Sequence, residues 1–332
     1  ALRSTRTGTT WGIEETKKKG DDTFPAWAET SLVEGDYATL RVVFDASFRD
    51  FRPTTTAKWF HCCGELKQIE GLEYLNTSEV KDMSSMFFAC ESLTSLDLKN
   101  FNTKNVTDMS SMFAYCESLT SLDLKNFNTQ NVTDMSRMFY DCGTLTSLDL
   151  KNFNTQNVTN MGEMFCECES LTSLDLKNFN TNNVTDMVGM FYDCAALTSL
   201  DLKNFNTQNV TDMRGMFSDC TSLTSLDLKN FNTKKVTDMG WMFSDCTSLT
   251  LLDLKNFNTK NVTDMGGMFS GCAALTTINS NTAWQCSRSK DMFAGCTQLK
   301  GAVSYDENKV DATMANPETG YFTAESTTVR SR

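Results

Sequence analysis

Apolar and polar positions recur along this chain with a period of 26 residues. The segment LTSLDLKNFNT starts at Leu93, Leu119, Leu145, Leu171, Leu197 and Leu223, and Leu249 opens a seventh copy, LTLLDLKNFNT. After each comes a segment of the form xxVTDMxxMFxxC. Cys90, Cys116, Cys142, Cys168, Cys194, Cys220, Cys246 and Cys272 keep the same step. Irregular copies flank the array: Lys58-Trp59-Phe60-His61-Cys62-Cys63 at its start, and Met292-Phe293-Ala294-Gly295-Cys296 at its end after a two-residue deletion. A unit this short cannot bury its apolar face alone, so the copies must stack on one another.

The unit that begins at Leu93 shows how one coil is built. Leu93, Leu96, Leu98 and Phe101 share an L-x-x-L-x-L spacing, and Leu96-Asp97-Leu98-Lys99 alternates as a half-buried strand does. Asn100 to Thr103 reads as a turn, and Val106 points inward on a very short second extended piece. Met109, Met112, Phe113 and Cys116 recur at three- and four-residue steps, which predicts one or two helical turns with Asp108 as the N-cap. The predicted fold is an α/β repeat solenoid, a right-handed stack of about ten coils. Each coil is a short parallel strand, a turn, a very short extended piece and a short helical turn. The strands are expected to hydrogen-bond from coil to coil at about 4.7–4.9 Å. Pro25, Pro53 and Pro317 all lie outside the array, as a continuous ladder requires.

The boundaries follow from where the period fades. Residues 1–22 read as a polar, flexible leader, and 23–56 as an N-terminal cap with a strand over 37–44. The solenoid spans 57–300. Residues 301–323 form a C-terminal cap with Tyr321 and Phe322 folding back, and 324–332 a loose tail. Leu2 and Arg3 are followed by no apolar run, so the sequence as given reads without a signal peptide.

The pattern NFNTxxVTDMxxMFxxCxxLTSLDL resembles the bacterial surface-protein repeats of the BspA-like leucine-rich type. It is most similar to the 25/26-residue variety first catalogued as a mycoplasma protein of unknown function. The flanking runs Phe51-Arg52-Pro53-Thr54-Thr55-Thr56 and Met314-Ala315-Asn316-Pro317-Glu318-Thr319-Gly320-Tyr321-Phe322-Thr323 resemble those of such proteins from gut Bacteroidetes. The resemblance implies a secreted or cell-surface protein that adheres to a host protein, a glycan or another cell, and it does not imply an enzyme. No binding residue is carried over. The better-known repeat has Ile and Pro after the strand, where this chain has Leu and Lys.

Composition narrows the chemistry. With 30 Lys+Arg against 42 Asp+Glu, the net charge of −12 argues against nucleic acid and anionic membranes. No stretch approaches the roughly 20 apolar residues of a membrane helix, so no membrane insertion is expected. A single His rules out multi-His metal sites and leaves His61 as the only imidazole for a catalytic triad. Nothing marks convergent acids or a nucleophile–base pair, so no catalytic, cofactor-binding or metal residues are assigned and the chain reads as a non-enzyme.

Ten of the thirteen cysteines fall in the repeat column: Cys63, Cys90, Cys116, Cys142, Cys168, Cys194, Cys220, Cys246, Cys272 and Cys296. A 26-residue spacing is not that of a zinc site, and stacked Cβ vectors run parallel, so the column reads as reduced and buried. Cys286 stands at a Val position and reads as core, while Cys166 takes an outward place and reads as the free thiol. Two acidic columns invite a calcium reading: Asp97 and its copies, and Asp82, Asp108, Asp134, Asp186, Asp212, Asp238 and Asp264. The Lys two residues after each Asp of the first set offsets its charge. Asn160 within the second set favours capping. The Asn100 and Asn102 columns read as turn-stabilising amide stacks.

Between copies the strand half hardly varies, and variation gathers around the predicted helical turn. One column reads Phe88, Ala114, Tyr140, Cys166, Tyr192, Ser218, Ser244, Ser270; another reads Ser85, Ser111, Arg137, Glu163, Gly189, Gly215, Trp241, Gly267. Trp241, Tyr140, Tyr192, Arg137 and Arg214 are the candidate ligand contacts, since aromatics and Arg dominate binding hot spots. The plainer reading is a solvated face that drifts freely. The uniform Asp/Lys/Thr/Ser strand face is the rival surface, suited to a repetitive ligand. The alternative function is a structural spacer or filament protein that self-associates.

Overall fold

The computed structural model describes residues 41–324, together with the strands Leu2–Ser4, Thr10–Trp11, Thr16–Lys19 and Asp22–Pro25. Contacts divide the chain into two compact units, Ala1–Asn183 and Val184–Arg332.

In the first unit, the strand Arg41–Val43 pairs in parallel with Gln68–Glu70 and antiparallel with Leu2–Ser4. The strands Thr16–Lys19 and Asp22–Pro25, within the expected leader and its border, pair antiparallel. Of the strand expected over 37–44, residues 37–40 lie outside the described residues. Phe44 and Phe48, the latter in the 3-10 helix Ala46–Asp50, meet edge to face at 4.9 Å, and Phe44 packs against Phe60 at the start of the coils.

The coils then stack as columns of one residue type, the arrangement of a repeat solenoid. Phe60, Phe87, Phe113, Phe139 and Phe165 lie nearly parallel with centroids 5.4–5.8 Å apart, the offset-stacked geometry that rings prefer. Leu93, Leu119, Leu145 and Leu171, the methionines of each DMxxMF segment, and Val106 and its copies are fully buried beside them.

The backbone accounts for its donors in an unexpected place. Over 109–116, alternate residues bond to the following coil: Met109 N–H donates to Asp134 O, Ser111 to Ser136, Phe113 to Met138 and Tyr115 to Tyr140, at 2.7–3.1 Å. The residues between them bond within their own coil, three residues back: Met112 to Met109, Ala114 to Ser111 and Cys116 to Phe113. Ser111 and Tyr115, the third residues of two of these turns, have φ near +53° and +60°, as type II turns require. The helical turns predicted here are therefore absent. A helix directs every N–H back along its own axis, whereas this run of turns frees every second N–H to join the neighbouring coil. The very short extended piece before it also pairs in parallel, through the bridges Thr55↔Asp82, Asp82↔Asp108, Asp108↔Asp134 and Asp134↔Asn160.

The Leu-Asp-Leu face, where the ladder of strands was expected, is sparsely bonded. In the first unit it shows only the bridge Leu148↔Leu174 among the described residues. What fastens the coils on that side is side-chain chemistry. The buried hydroxyl of Thr103 accepts from Asn128 N–H at 2.7 Å and donates to Asn128 O at 2.9 Å; Thr77 and Thr129 do the same one coil away. Each of these Thr satisfies two buried backbone groups with one hydroxyl. The two expected Asn columns bond to backbone rather than to each other: in the Asn100 column Asn152 Nδ2 donates to Lys125 O one coil back at 2.6 Å, and in the other Asn102 Oδ1 accepts from Lys104 N–H of its own coil at 3.1 Å. The Asn105 column also reaches one coil back, Asn105 Nδ2 donating to Ser78 O at 2.8 Å and Asn131 to Lys104 O at 2.8 Å.

The second unit repeats the scheme. Phe191, Phe217, Phe243 and Phe269 stack at 5.7 Å, and Phe293 follows at 5.4 Å. The same alternation joins its turns, for example Met213 N–H to Asp238 O and Phe217 N–H to Met242 O. Here the Leu-Asp-Leu face forms short parallel strands: Ser199–Leu200 with Ser225–Leu226, and Leu251–Asp253 with Thr277–Asn279. Phe322–Thr323 adds in parallel to Ile278–Asn279. Tyr321 is fully buried, edge-on to Phe293 at 5.4 Å, and its hydroxyl donates to Lys309 O at 2.9 Å. Trp284 fills the space under Phe257 and Phe269.

Candidate functional site: the turn face

All thirteen cysteines are free thiols. Those of the column are buried, and Cys90, Cys116, Cys142, Cys168, Cys220, Cys246, Cys272 and Cys296 each donate to the carbonyl of a Phe in the preceding coil, as Cys116 Sγ does to Phe87 O at 3.2 Å and Cys246 Sγ to Phe217 O at 3.0 Å. Burial pushes these thiols up, Cys116 and Cys220 to about 12, which leaves them protonated and unreactive. Two expectations are corrected. Cys166 is buried, not outward, because a short side chain in this column stays covered, as at Ala114, Ser218 and Ser244, whereas the longer rings of Tyr140 and Tyr192 reach out; burial raises its thiol too. Cys286 is half-exposed rather than core, because Trp284, two residues earlier, occupies the interior there.

The two Asp columns separate by geometry. Asp97 Oδ1 accepts from Lys99 N–H at 3.2 Å, and Lys99 Nζ reaches the same carboxylate at 2.7 Å. The described copies of this ion pair, one in each coil of the face, run to 3.9 Å. In the second column Asp108 Oδ1 accepts from Ser110 N–H at 2.8 Å, and Asn160 Oδ1 from Gly162 N–H at 3.0 Å. Asp and Asn do one job here. They close an Asx turn that starts the run of turns, rather than capping a helix. Among the described residues, no group of His, Cys, Asp and Glu could hold a metal ion.

The five candidate contacts all lie on the run of turns. In the first unit Arg137, at φ +55°, pairs with Glu163 of the following coil, and the Tyr140 hydroxyl donates to Glu167 Oε1 at 2.7 Å. In the second unit Arg214 spans two carboxylates, Asp212 at 2.8 Å and Asp238 at 3.7 Å, which ties it to the column of Asx turns. Tyr192 is 36 % exposed beside Gly215, and Trp241 is 56 % exposed. Trp241 has φ +54°, a conformation that bulky L residues avoid. Its indole lies over Gly267 of the next coil, where a Cβ would come within 2.5 Å of the ring. The varying column of Arg137, Glu163 and Trp241 is thus a column of left-handed residues throughout, and its recurring Gly189, Gly215 and Gly267 are the sign of it.

Sequence reasoning missed two features of the first unit. His61, Phe88, Tyr115 and Tyr140 form one line of rings, with neighbouring centroids 4.6, 5.2 and 5.0 Å apart, and all four are half-buried. Glu65, Glu91, Glu117, Asp141, Glu167 and Glu169 gather beside them. Burial, then the charges of Glu117, Glu167, Glu169 and Glu91, push the Asp141 carboxyl up to about 6. Burial, then Glu117 and Glu65, raise that of Glu91. In the second unit an open recess of about 420 Å³ is lined by Trp284, Gln285, Cys286, Ser289, Asp311 and Asn316.

The family model described as Mycoplasma protein of unknown function, DUF285, matches residues 54–171, 114–225, 143–250 and 196–308. No curated protein matches the sequence. Among solved structures, a leucine-rich repeat protein from Bacteroides ovatus ATCC 8483 is 19 % identical, with 86 % of this chain and 84 % of that one covered, at a TM-score of 0.33. A leucine rich cell surface protein from Faecalibacterium prausnitzii A2-165 is 16 % identical over 90 % and 89 % of the two chains, at 0.35. A leucine-rich repeat protein from Eubacterium ventriosum ATCC 27560 is 17 % identical over 79 % and 76 %, at 0.36.

Proposed function

This chain belongs to the DUF285 family of repeat proteins, and from that premise we propose that it is a non-enzymatic binding protein of the cell surface or its exterior. It recognises a host protein, a glycan or another cell through side chains on the run of turns. The observation that carries the reading is Trp241. A large apolar ring stays 56 % exposed at a left-handed position where three other copies have Gly. Such a conformation costs of the order of 1 kcal/mol or more, and although the indole rests on Gly267 more than half of the residue stays in water, so its value lies outside the folded core. The location rests on the resemblance of the repeat to surface proteins. No helix among the described residues is long and apolar enough to cross a membrane.

The test is a protein and glycan array probed with the native chain and with Trp241→Gly, which suits the backbone and removes only the ring. A saturable signal lost in the variant supports the reading, and a signal equal in both moves the contact elsewhere. Self-association has one observation in its favour: Leu251, where six other copies have Ser, is 48 % exposed. Sedimentation that shows a monomer over a wide concentration range removes that alternative.

A further inference from the structure

The line of rings in the first unit differs from the stacked core rings in being half open to solvent. His61 lies flat on Phe88, with an interplanar angle of 9°, and the Phe88–Tyr115 and Tyr115–Tyr140 steps are tilted, so both faces and edges are presented. Along one margin stand Glu65, Glu91, Glu117, Asp141, Glu167 and Glu169. None of the six pairs with a cation among the described residues, whereas every described Asp of the Leu-Asp-Leu face has its Lys. Arg137, three residues before Tyr140, is engaged by Glu163 on the other margin. The arrangement is not a by-product of copying. The LDLKNFNT segments repeat almost unchanged, yet the column that reads Glu91, Glu117, Gly143 and Glu169 in the first unit becomes Ala195, Thr221, Thr247 and Ala273 in the second, while the column of Asp141 and Glu167 stays acidic as Asp193, Asp219 and Asp245.

We propose that this ridge is a docking surface for an extended, Lys/Arg-rich segment of a partner protein, whose cationic side chains lie over the rings and beside the carboxylates. The proposal rests on the binding role argued above and adds the class of ligand. Aromatic faces attract cations, and uncompensated carboxylates next to them supply the opposite charge. Spacing agrees. Four rings in three steps of about 5 Å span roughly 15 Å, the length of four to five residues of extended chain. Every second side chain of such a segment faces the same way, so two or three basic residues would meet the ridge.

The experiment is fluorescence anisotropy with a fluorescein-labelled octapeptide of alternating Arg and Ser, titrated with the full chain at 0.15 M salt. Peptides with Gln or Glu in place of Arg are the controls. The Arg peptide is expected to bind and the other two are not. Glu91→Gln with Glu117→Gln, exposed and nearly isosteric changes, should weaken binding roughly tenfold. Tyr115→Asn removes a ring while suiting φ +60°, and should weaken it several-fold. Asp97→Asn, on the Leu-Asp-Leu face, should leave it unchanged. Absence of binding overturns the proposal, as does an equal loss in Asp97→Asn, or an unchanged affinity in Tyr115→Asn. If spermine binds as tightly as the peptide and displaces it fully, the ridge takes a small polyamine and the protein partner is overturned. Failure here with a Trp241-dependent array signal intact removes the ridge alone; an array silent for Trp241 with the peptide bound removes Trp241 alone.

Discussion

Within each unit the Leu-Asp-Leu face and the run of turns meet their neighbours by different means. The first has the more regular sequence and the less regular hydrogen bonding. Its coils are joined by buried Thr hydroxyls, Asn amides and a few short strands. The second tolerates Arg, Glu, Trp and Gly at one position because the coil-to-coil bond made there belongs to the backbone N–H, whatever the side chain. Where side chains carry the joints, the sequence must repeat; where peptide groups carry them, it is free to vary. Variation on the turn face is therefore permitted by the backbone, which is why it is the face on which binding residues can collect.

That contrast can be tested by removing joints and packing on each side. The largest effect is expected from the ring column under the turns. Phe113→Ala should cost about 4 kcal/mol in chemical denaturation, whereas Leu96→Ala, half-buried on the opposite side, should cost under about 2 kcal/mol. If the two costs are equal, the ring column is not the anchor of the coil. Next comes Thr103→Val, which keeps shape but strands the N–H and carbonyl of Asn128; a loss of about 2 kcal/mol is expected, and a neutral change would show that the hydroxyl is no joint.

Much of this was legible in the residues themselves. The 26-residue period, the buried columns of Leu93, Met109, Phe113 and Cys116, and the placing of Trp241 in a varying column follow from burial, which imprints itself on sequence as periodicity. The run of turns was not, because Met109, Met112, Phe113 and Cys116 suit a helical turn and a chain of tight turns equally. The discriminating sign was Gly189, Gly215 and Gly267 in one column, a residue that a helix interior avoids and a left-handed turn position favours. Tyr115 escaped notice because it stands one residue out of the column of Phe88, and only the coordinates bring it between Phe88 and Tyr140.

A third, smaller effect sharpens the link between backbone and surface. Gly267→Ala places a Cβ at φ +58° against the Trp241 indole, so a loss of about 1–2 kcal/mol is expected, with a shift of the tryptophan emission to longer wavelength as the ring is pushed into water. An unchanged spectrum would mean that the indole does not rest on Gly267.

The smallest effect is electrostatic. The Asp141 carboxyl titrates near 6 in the fold against about 3.9 in the unfolded chain, raised by burial and by Glu117, Glu167, Glu169 and Glu91. The folded state holds this proton more tightly. Its stabilising contribution is complete below about pH 4 and is lost as the pH rises through 6. After allowance for solvent screening it should amount to about 1 kcal/mol. The difference in denaturation midpoint between the native chain and Asp141→Asn, followed from pH 4 to 7, reads it; a difference independent of pH would show that Asp141 titrates as an ordinary carboxylate.

The alternation of outward and inward backbone bonds has a genetic consequence. Each interior coil presents to the next the same set of donors that it receives from the last, so a gene that gains or drops a whole copy within a unit leaves no mismatched seam. Near-identical LDLKNFNT stretches are natural sites for unequal crossing-over. Strains that differ by multiples of 26 codons are the expected offspring, each copy extending or shortening its unit by about 4.8 Å and adding or subtracting one set of display positions.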